Sequence, residues 1–251
     1  MLWPTLLGGM ETMDKRYVTT AYENWVESVR SLTQTNQTAL AYREMRSTVA
    51  AAIATVILRA STGGTPNPDD ERFGAQRVVY GVWLVGHEPE FPIYIGQTSE
   101  RGRRLWDLPI GESHHLANTF PPEIWSHVVV VRWPEVLRAY GNDIGIRSLD
   151  PDSIGFALEY ALQRQFSPPM NTWRKNRDGT LAPVRLSASR SVGVVVASSA
   201  DFQGFFRCFL EVWSGLRNCE SGHSEWETRD YGGVAFPSRV YDRVLGDHGF
   251  V

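Results

Sequence analysis

A tyrosine, a group of arginines, a lone carboxylate, an asparagine and a basic tail follow one another through the middle of this chain. Tyr94 opens the run Tyr94-Ile95-Gly96, and Arg101, Arg103 and Arg104 come just after it. Glu159 sits in a largely apolar stretch, and Asn171 follows the double proline Pro168–Pro169. Between Arg164 and Arg190 six basic residues (Arg164, Arg174, Lys175, Arg177, Arg185, Arg190) stand against one acid, Asp178. Phosphodiester hydrolysis needs parts of this kind: an oxygen ligand for a hard divalent cation, a cation facing the phosphate, and a group that takes or aligns the proton of the attacking water. Taken singly, each residue has a plainer reading. A mid-helix glutamate is usually solvated, a strand tyrosine usually packs, and a basic run is often an exposed loop.

Such residues need elements to hold them. Tyr80–Thr98 reads as two strands, Tyr80–Val85 and Ile93–Gly96, joined by a polar loop with Glu88, Pro89, Glu90 and Pro92. Ser99–Leu108 reads as a helix with Ser99 as cap and Glu100 in its first turn. His127–Trp133 carries four consecutive valines, which suits a strand buried on both faces. Asp150-Pro151-Asp152 opens a helix from about Ser153 to Phe166, which carries Glu159 and ends at Pro168–Pro169. Beyond the basic segment the pattern predicts a strand at Val192–Ala197 and a helix at about Asp201–Leu216. A polar glycine-containing stretch and a closing helix from Pro237 follow.

Upstream, Tyr17, Ala21, Trp25, Val29 and Leu32 form one apolar stripe, and a second helix runs from Ala39 to Arg59. The two predict an antiparallel helical hairpin; a DNA-contacting pair is the alternative, but the charges on it are mixed in sign. Residues 61–75, STGGTPNPDDERFGA, read as a linker. The expected division is therefore a helical region and linker over 1–75, a core over 76–175 and an α/β extension over 176–251, in the mixed α+β class.

The 251 residues are 42% hydrophobic and 21% charged, ordinary for a globular chain, and the net charge of −3 gives no global pull towards a polyanion. Of 25 basic residues only Lys15 and Lys175 are lysine, a bias spread over the whole chain rather than one face. Cys208 and Cys219, with His223 nearby, fall short of a zinc set and read as reduced thiols. The start, MLWPTLLGGMETMDKR, is a poor signal peptide, with Met10 or Met13 as alternative first residues. The longest apolar run, Val49–Leu58, is about half a membrane span and reads as a buried helix. The expectation is a cytoplasmic protein without a membrane partner.

Gly81-Val82-Trp83, an interval of ten residues, then Tyr94-Ile95-Gly96-Gln97-Thr98 resembles the two-part signature of the GIY-YIG nuclease superfamily, over about Tyr80–Trp173. The resemblance implies a small three-stranded antiparallel sheet flanked by helices, with the third strand at His127–Trp133. It implies Tyr94 as the tyrosine of the second half-motif and Arg104, ten residues on, as the arginine, with Arg103 as its possible replacement. Glu159 would hold Mg²⁺ or Mn²⁺, Asn171 would brace the site, and Arg101, Arg103, Arg174, Lys175 and Arg177 would grip a nucleic-acid backbone. A histidine one turn after the arginine is common in the superfamily; that position is Leu108 here, leaving His114 or His115 to supply one.

Trp83 stands where the superfamily has its first tyrosine, and indole cannot accept a proton. Either Tyr94, Tyr80 or a histidine takes over, or the nuclease is slowed or dead. The implied activity is metal-dependent endonucleolytic hydrolysis of DNA, with RNA left open, of restriction or defence type. The rivals are a non-catalytic nucleic-acid-binding module and an interaction scaffold. Oligomeric state is open, a homodimer included.

Overall fold

The structure, a computed structural model, describes residues 27, 36–62, 77–85, 92–98, 104–110, 116–117, 120–141, 146, 149–175, 181–183, 188–219 and 222–247. The expected first helix of the N-terminal hairpin lies outside the described residues apart from Glu27, and so does nearly all of the 61–75 linker. The second helix is there as α1, Asn36–Thr62.

The described elements continue as β1 (Val78–Leu84), β2 (Tyr94–Thr98), α2 (Arg104–Ile110), β3 (Trp125–Val131), α3 (Trp133–Tyr140), α4 (Pro151–Phe166) and α5 (Pro169–Thr172). After them come β4 (Trp173–Lys175), β5 (Leu181–Pro183), α6 (Ala188–Ala197), α7 (Ala200–Arg217), β6 (Trp226–Arg229), β7 (Gly232–Ala235) and α8 (Pro237–Asp247). The protein is thus mixed α+β. Its main sheet has five antiparallel strands, in the order β2-β1-β3-β7-β6, where three were expected. The first three are the hairpin and the valine strand, and β4–β5 form a separate two-stranded ribbon.

The valine run is central, as its composition demands. Val128 and Val130 point to one face and Val129 and Val131 to the other, and all four are fully buried. One face meets α1, α2 and α8 through Val49, Ile53, Ile57, Leu105 and Val240, together with Val82 of β1. The other meets α3, α4 and α7 through Trp133, Leu158, Phe205, Phe209 and Trp213. Two helical layers thus enclose the sheet, so its central strands lack the polar alternation of half-exposed ones. No helix among the described residues is long and apolar enough to cross a membrane.

Three boundaries differ from the sequence pattern. The third strand spans Trp125–Val131 rather than His127–Trp133, because Pro134 in the first turn of α3 starts a helix at Trp133. The strand expected at Val192–Ala197 is helix α6. Its β-branched residues favour a strand locally, but Gly193 lies against the Phe156 backbone, where a Cβ would come within 2.7 Å, so α6 packs on α4 as a helix. Val192 and Val195 face solvent instead of filling a strand. The polar stretch before α8 holds the hairpin β6–β7, whose Gly232-Gly233-Val234-Ala235 has little strand character of its own. Gly233 is required there because a Cβ would run into the carbonyl oxygen of Ala60 at the end of α1.

The helix that carries Glu159 is punctuated as its sequence suggests. The Asp150 carboxylate accepts the Ser153 backbone N–H at 2.9 Å and so caps α4, and Pro151 occupies the first turn. Ser167 adopts a left-handed conformation (φ 45°) at the C-terminal end, and Pro168 prevents continuation. An ion pair anchors α1 across the molecule: Arg46 Nε meets Glu123 Oε1 at 3.1 Å, with the carboxylate almost fully buried. Burial pushes the Glu123 carboxyl up, against the pull of Arg46.

Candidate active site at the edge of the sheet

Pairing fixes which side chains of the β1–β2 hairpin share a face. Val82 lies opposite Tyr94, and Tyr80 lies opposite Gly96. Tyr80 and Tyr94 therefore sit diagonally on one face, with ring centroids 6.1 Å apart. Gly96 makes room for them: a Cβ there would lie 2.6 Å from the Tyr80 hydroxyl oxygen. The glycine of the Tyr94-Ile95-Gly96 run is thus explained by a neighbouring ring rather than by a turn.

Arg104 opens α2 beside this pair. It is exposed, yet its guanidinium donates to the Tyr94 hydroxyl, and the Tyr80 and Tyr94 hydroxyls are hydrogen-bonded to each other. Burial pushes the Tyr80 hydroxyl well above the usual phenol range. Tyr94 and Glu159 add to that shift and Arg104 opposes it. Burial works to lower the Arg104 guanidinium, but Tyr80, Tyr94 and Glu159 outweigh it and the net shift is upward. Tyr80 is fully buried and stays a neutral donor at neutral pH; it supports Tyr94 from below. Glu159, on α4, acts on both Tyr80 and Arg104. Tyr80, Tyr94, Arg104 and Glu159 thus come together from β1, β2, α2 and α4.

Asn171 does not point at this group. Its side chain is buried and clasps the outer edge of β2: Oδ1 accepts the Ile95 N–H at 2.7 Å and Nδ2 donates to the Ile95 carbonyl at 2.9 Å. These are backbone groups that an edge strand leaves without a neighbouring strand. Met170 N–H donates to the Ile93 carbonyl at 3.1 Å, so α5 as a whole docks on this edge. Asn171 is therefore a brace for the strand of Tyr94 rather than a catalytic group.

Gln163 was not singled out by the sequence. One turn beyond Glu159, it donates from Nε2 to Glu159 Oε1 at 2.9 Å and to the Ile95 carbonyl at 3.2 Å. The i, i+4 spacing of Glu159 and Gln163 was the available signal.

Trp83 is elsewhere. It lies on the opposite face of β1 from Tyr80, 1% exposed, stacked on His127 at 4.6 Å and tilted against Trp213 at 5.8 Å. The motif position Trp83 is therefore no part of the Tyr94 group, and strand alternation is the reason: residues 80 and 83 are an odd number apart and cannot share a face. Gly81 serves that core, since a Cβ would meet the Trp213 and Trp83 rings at 2.8 Å.

His127, under Trp83, titrates at about 4, lowered first by burial and then by the Arg217 charge. Its folded value lies below the unfolded value near 6.5, so the unfolded chain binds the extra proton between those limits. Stability is complete above about pH 6.5 and falls, by about 3 kcal/mol from this residue, as pH drops towards 4. Urea unfolding at pH 7 and pH 4.5 measures this, and His127→Phe flattens the dependence.

Of the remaining expected site residues, Arg101, Arg103, His114, His115 and Arg177 lie outside the described residues, and Arg174 and Lys175 are described as the backbone of β4. Among the described residues no cluster of three or more His, Cys, Asp or Glu side chains is poised to hold a metal. A cavity of about 540 Å³ is lined by Tyr140, Glu211, Cys219, Arg229 and Tyr231 among others, and by none of Tyr80, Tyr94, Arg104 and Glu159. Of its lining, Arg229 pairs with Glu227 at 3.1 Å, and the Cys219 thiol donates to the same carboxylate at 2.8 Å.

No family model matches the chain, and no curated protein or solved structure matches it.

Proposed function

We propose that this protein is a divalent-metal-dependent endonuclease of GIY-YIG type that hydrolyses phosphodiester bonds in DNA. The observation that carries the reading is the convergence of Tyr94, Arg104 and Glu159, from β2, α2 and α4, on one patch beside the buried Tyr80 hydroxyl. The donor set suits Mg²⁺ or Mn²⁺: a single carboxylate, with phenol oxygens nearby, fits a hard cation that keeps most of its waters. When bound, the ion supplies Lewis acidity towards the phosphate.

The chain's own groups do the rest. Glu159 would hold the ion. Arg104 donates to a non-bridging phosphate oxygen, which concentrates positive charge where negative charge develops. Tyr94, its hydroxyl already oriented by Tyr80 and Arg104, aligns the attacking water. Tyr80, rather than Trp83, stands in for the first tyrosine of the superfamily, as an orienting donor. Arg101, Arg103, Arg174, Lys175 and Arg177 take the nucleic-acid backbone, contacts that weaken as salt rises. A restriction- or defence-type role in the cytoplasm belongs to this proposal.

The second reading is a nucleic-acid-binding module that does not cleave. It is favoured by Tyr80 being held protonated, which leaves Tyr94 as the one phenol in the cluster that could serve as base. Plasmid nicking in Mg²⁺ or Mn²⁺, by wild type beside Glu159→Ala and Arg104→Ala, separates the two. Cleavage lost in both variants supports the nuclease, salt-sensitive binding without cleavage supports the module, and neither sinks both.

Trp83→Tyr tests the assignment of faces. It loses about 1–3 kcal/mol in urea unfolding, because a smaller ring and an unpaired hydroxyl replace the indole in a closed core. Cleavage per folded molecule stays at the wild-type level, whereas Tyr80→Phe lowers it. A gain in cleavage by Trp83→Tyr would overturn this placement.

A further inference from the structure

The geometry points to Gln163 as a positioning residue that sets the orientation of the Glu159 carboxylate for metal binding, an inference that rests on the nuclease reading. Both amide hydrogens of Gln163 are spoken for: one reaches Glu159 Oε1 at 2.9 Å and the other the Ile95 carbonyl at 3.2 Å. The Ile95 carbonyl in turn receives a second donor, Asn171 Nδ2 at 2.9 Å, so both of its lone pairs are engaged. The Ile95 N–H is taken by Asn171 Oδ1. An unbroken chain of hydrogen bonds therefore runs from Asn171 through the Ile95 peptide to Gln163 and Glu159.

A free glutamate carboxyl rotates broadly about its last torsion. An amide with one hydrogen on Oε1 and the other on a backbone carbonyl removes that freedom. The anchoring carbonyl belongs to the residue next to Tyr94, so the same contact ties the carboxylate on α4 to the strand that carries the tyrosine. A small shift of either element moves both, which keeps their separation constant. Outer-shell partners of this kind typically change metal affinity by roughly tenfold to a hundredfold when lost.

Gln163→Met keeps the length of the side chain and removes both donors. Titration with Mn²⁺, read by the electron paramagnetic resonance of the free ion, gives a roughly tenfold to hundredfold weaker affinity for Gln163→Met than for wild type. Thermal unfolding in the absence of metal stays close to wild type, because Asn171 still satisfies the Ile95 carbonyl. Wild-type affinity in Gln163→Met overturns the inference. Glu159→Ala separates the layers: if it also binds Mn²⁺ as wild type does, the metal site of the nuclease reading falls with it. A measurement on the unmodified protein stands beside these: Mg²⁺ shifts the side-chain amide resonances of Gln163, and their indifference to Mg²⁺ would equally overturn the role.

Discussion

Glu159→Ala is expected to lower metal-dependent DNA cleavage by about a thousandfold or more while leaving the protein folded. A bound divalent ion contributes several kcal/mol of transition-state stabilisation, and about 4 kcal/mol corresponds to a thousandfold in rate. Glu159 is the carboxylate that acts on Tyr80 and Arg104, so its loss removes the proposed ligand at that point. The side chain is half-buried on the surface of α4, where alanine is an excellent helix former. The unfolding midpoint therefore stays near that of wild type. Arg104→Ala removes the proposed phosphate donor and is expected to cost about a hundredfold to a thousandfold. Raising the Mg²⁺ concentration restores none of the Arg104→Ala loss, since the proposed metal ligand is intact in that variant. Nicking rates of supercoiled plasmid, with circular dichroism to verify folding, check both values.

Asn171→Leu carries the largest expected stability effect. Leucine keeps the branched shape of asparagine, with bulkier methyl groups, but leaves the Ile95 N–H without its acceptor and removes one of two donors from the Ile95 carbonyl. A buried backbone N–H without a partner costs about 1–3 kcal/mol, and loss of the second hydrogen bond adds about 1 kcal/mol. The expected loss is therefore about 2–4 kcal/mol in urea unfolding without metal. Asn171→Asp discriminates the geometry further: its oxygen still accepts from the N–H, but the second oxygen faces the Ile95 carbonyl at the position where Nδ2 now donates. That variant is destabilised at neutral pH and recovers as the carboxyl protonates in acid. A catalytic role for Asn171 alone would leave metal-free stability unchanged, so the urea midpoint separates bracing from chemistry.

The legible parts of the fold share one property: local sequence and tertiary packing ask for the same conformation. The hairpin strands are β-branched and aromatic, and they pair with β1 beside β2. Val128–Val131 is buried on both faces and lies in the middle of the sheet. Asp150 caps and Pro168 ends the helix of Glu159. The misread parts are those where packing overrides preference. In α6 a valine-rich segment is helical because Gly193 lets it approach α4. In β7 two glycines form a strand because α1 leaves no space for a side chain at Gly233, and Val130 and Leu216 leave none at Gly232. Neither requirement is written locally, since each depends on a surface supplied by a distant segment.

The candidate site divides along the same line. Tyr94, the arginine cluster, Glu159 and Asn171 stand out by residue type and order, and only the resemblance to the GIY-YIG signature singles out Arg104 among the arginines. Period-two alternation puts Tyr80 and Trp83 on opposite faces of one strand. It could not tell which of them joins Tyr94, because every residue of β1 is buried and no polar–apolar alternation marks a face. Register decided that: Val82 opposite Tyr94 brings Tyr80 to the site and sends Trp83 to His127. Gln163 emerged for the same reason, since its second partner is a backbone carbonyl 68 positions away that carries no side-chain signal. Sequence by itself determined the inventory of reactive groups and the strands and helices that bear them. The choice of face and the hydrogen bonds that join those groups were decided by tertiary pairing, which is non-local.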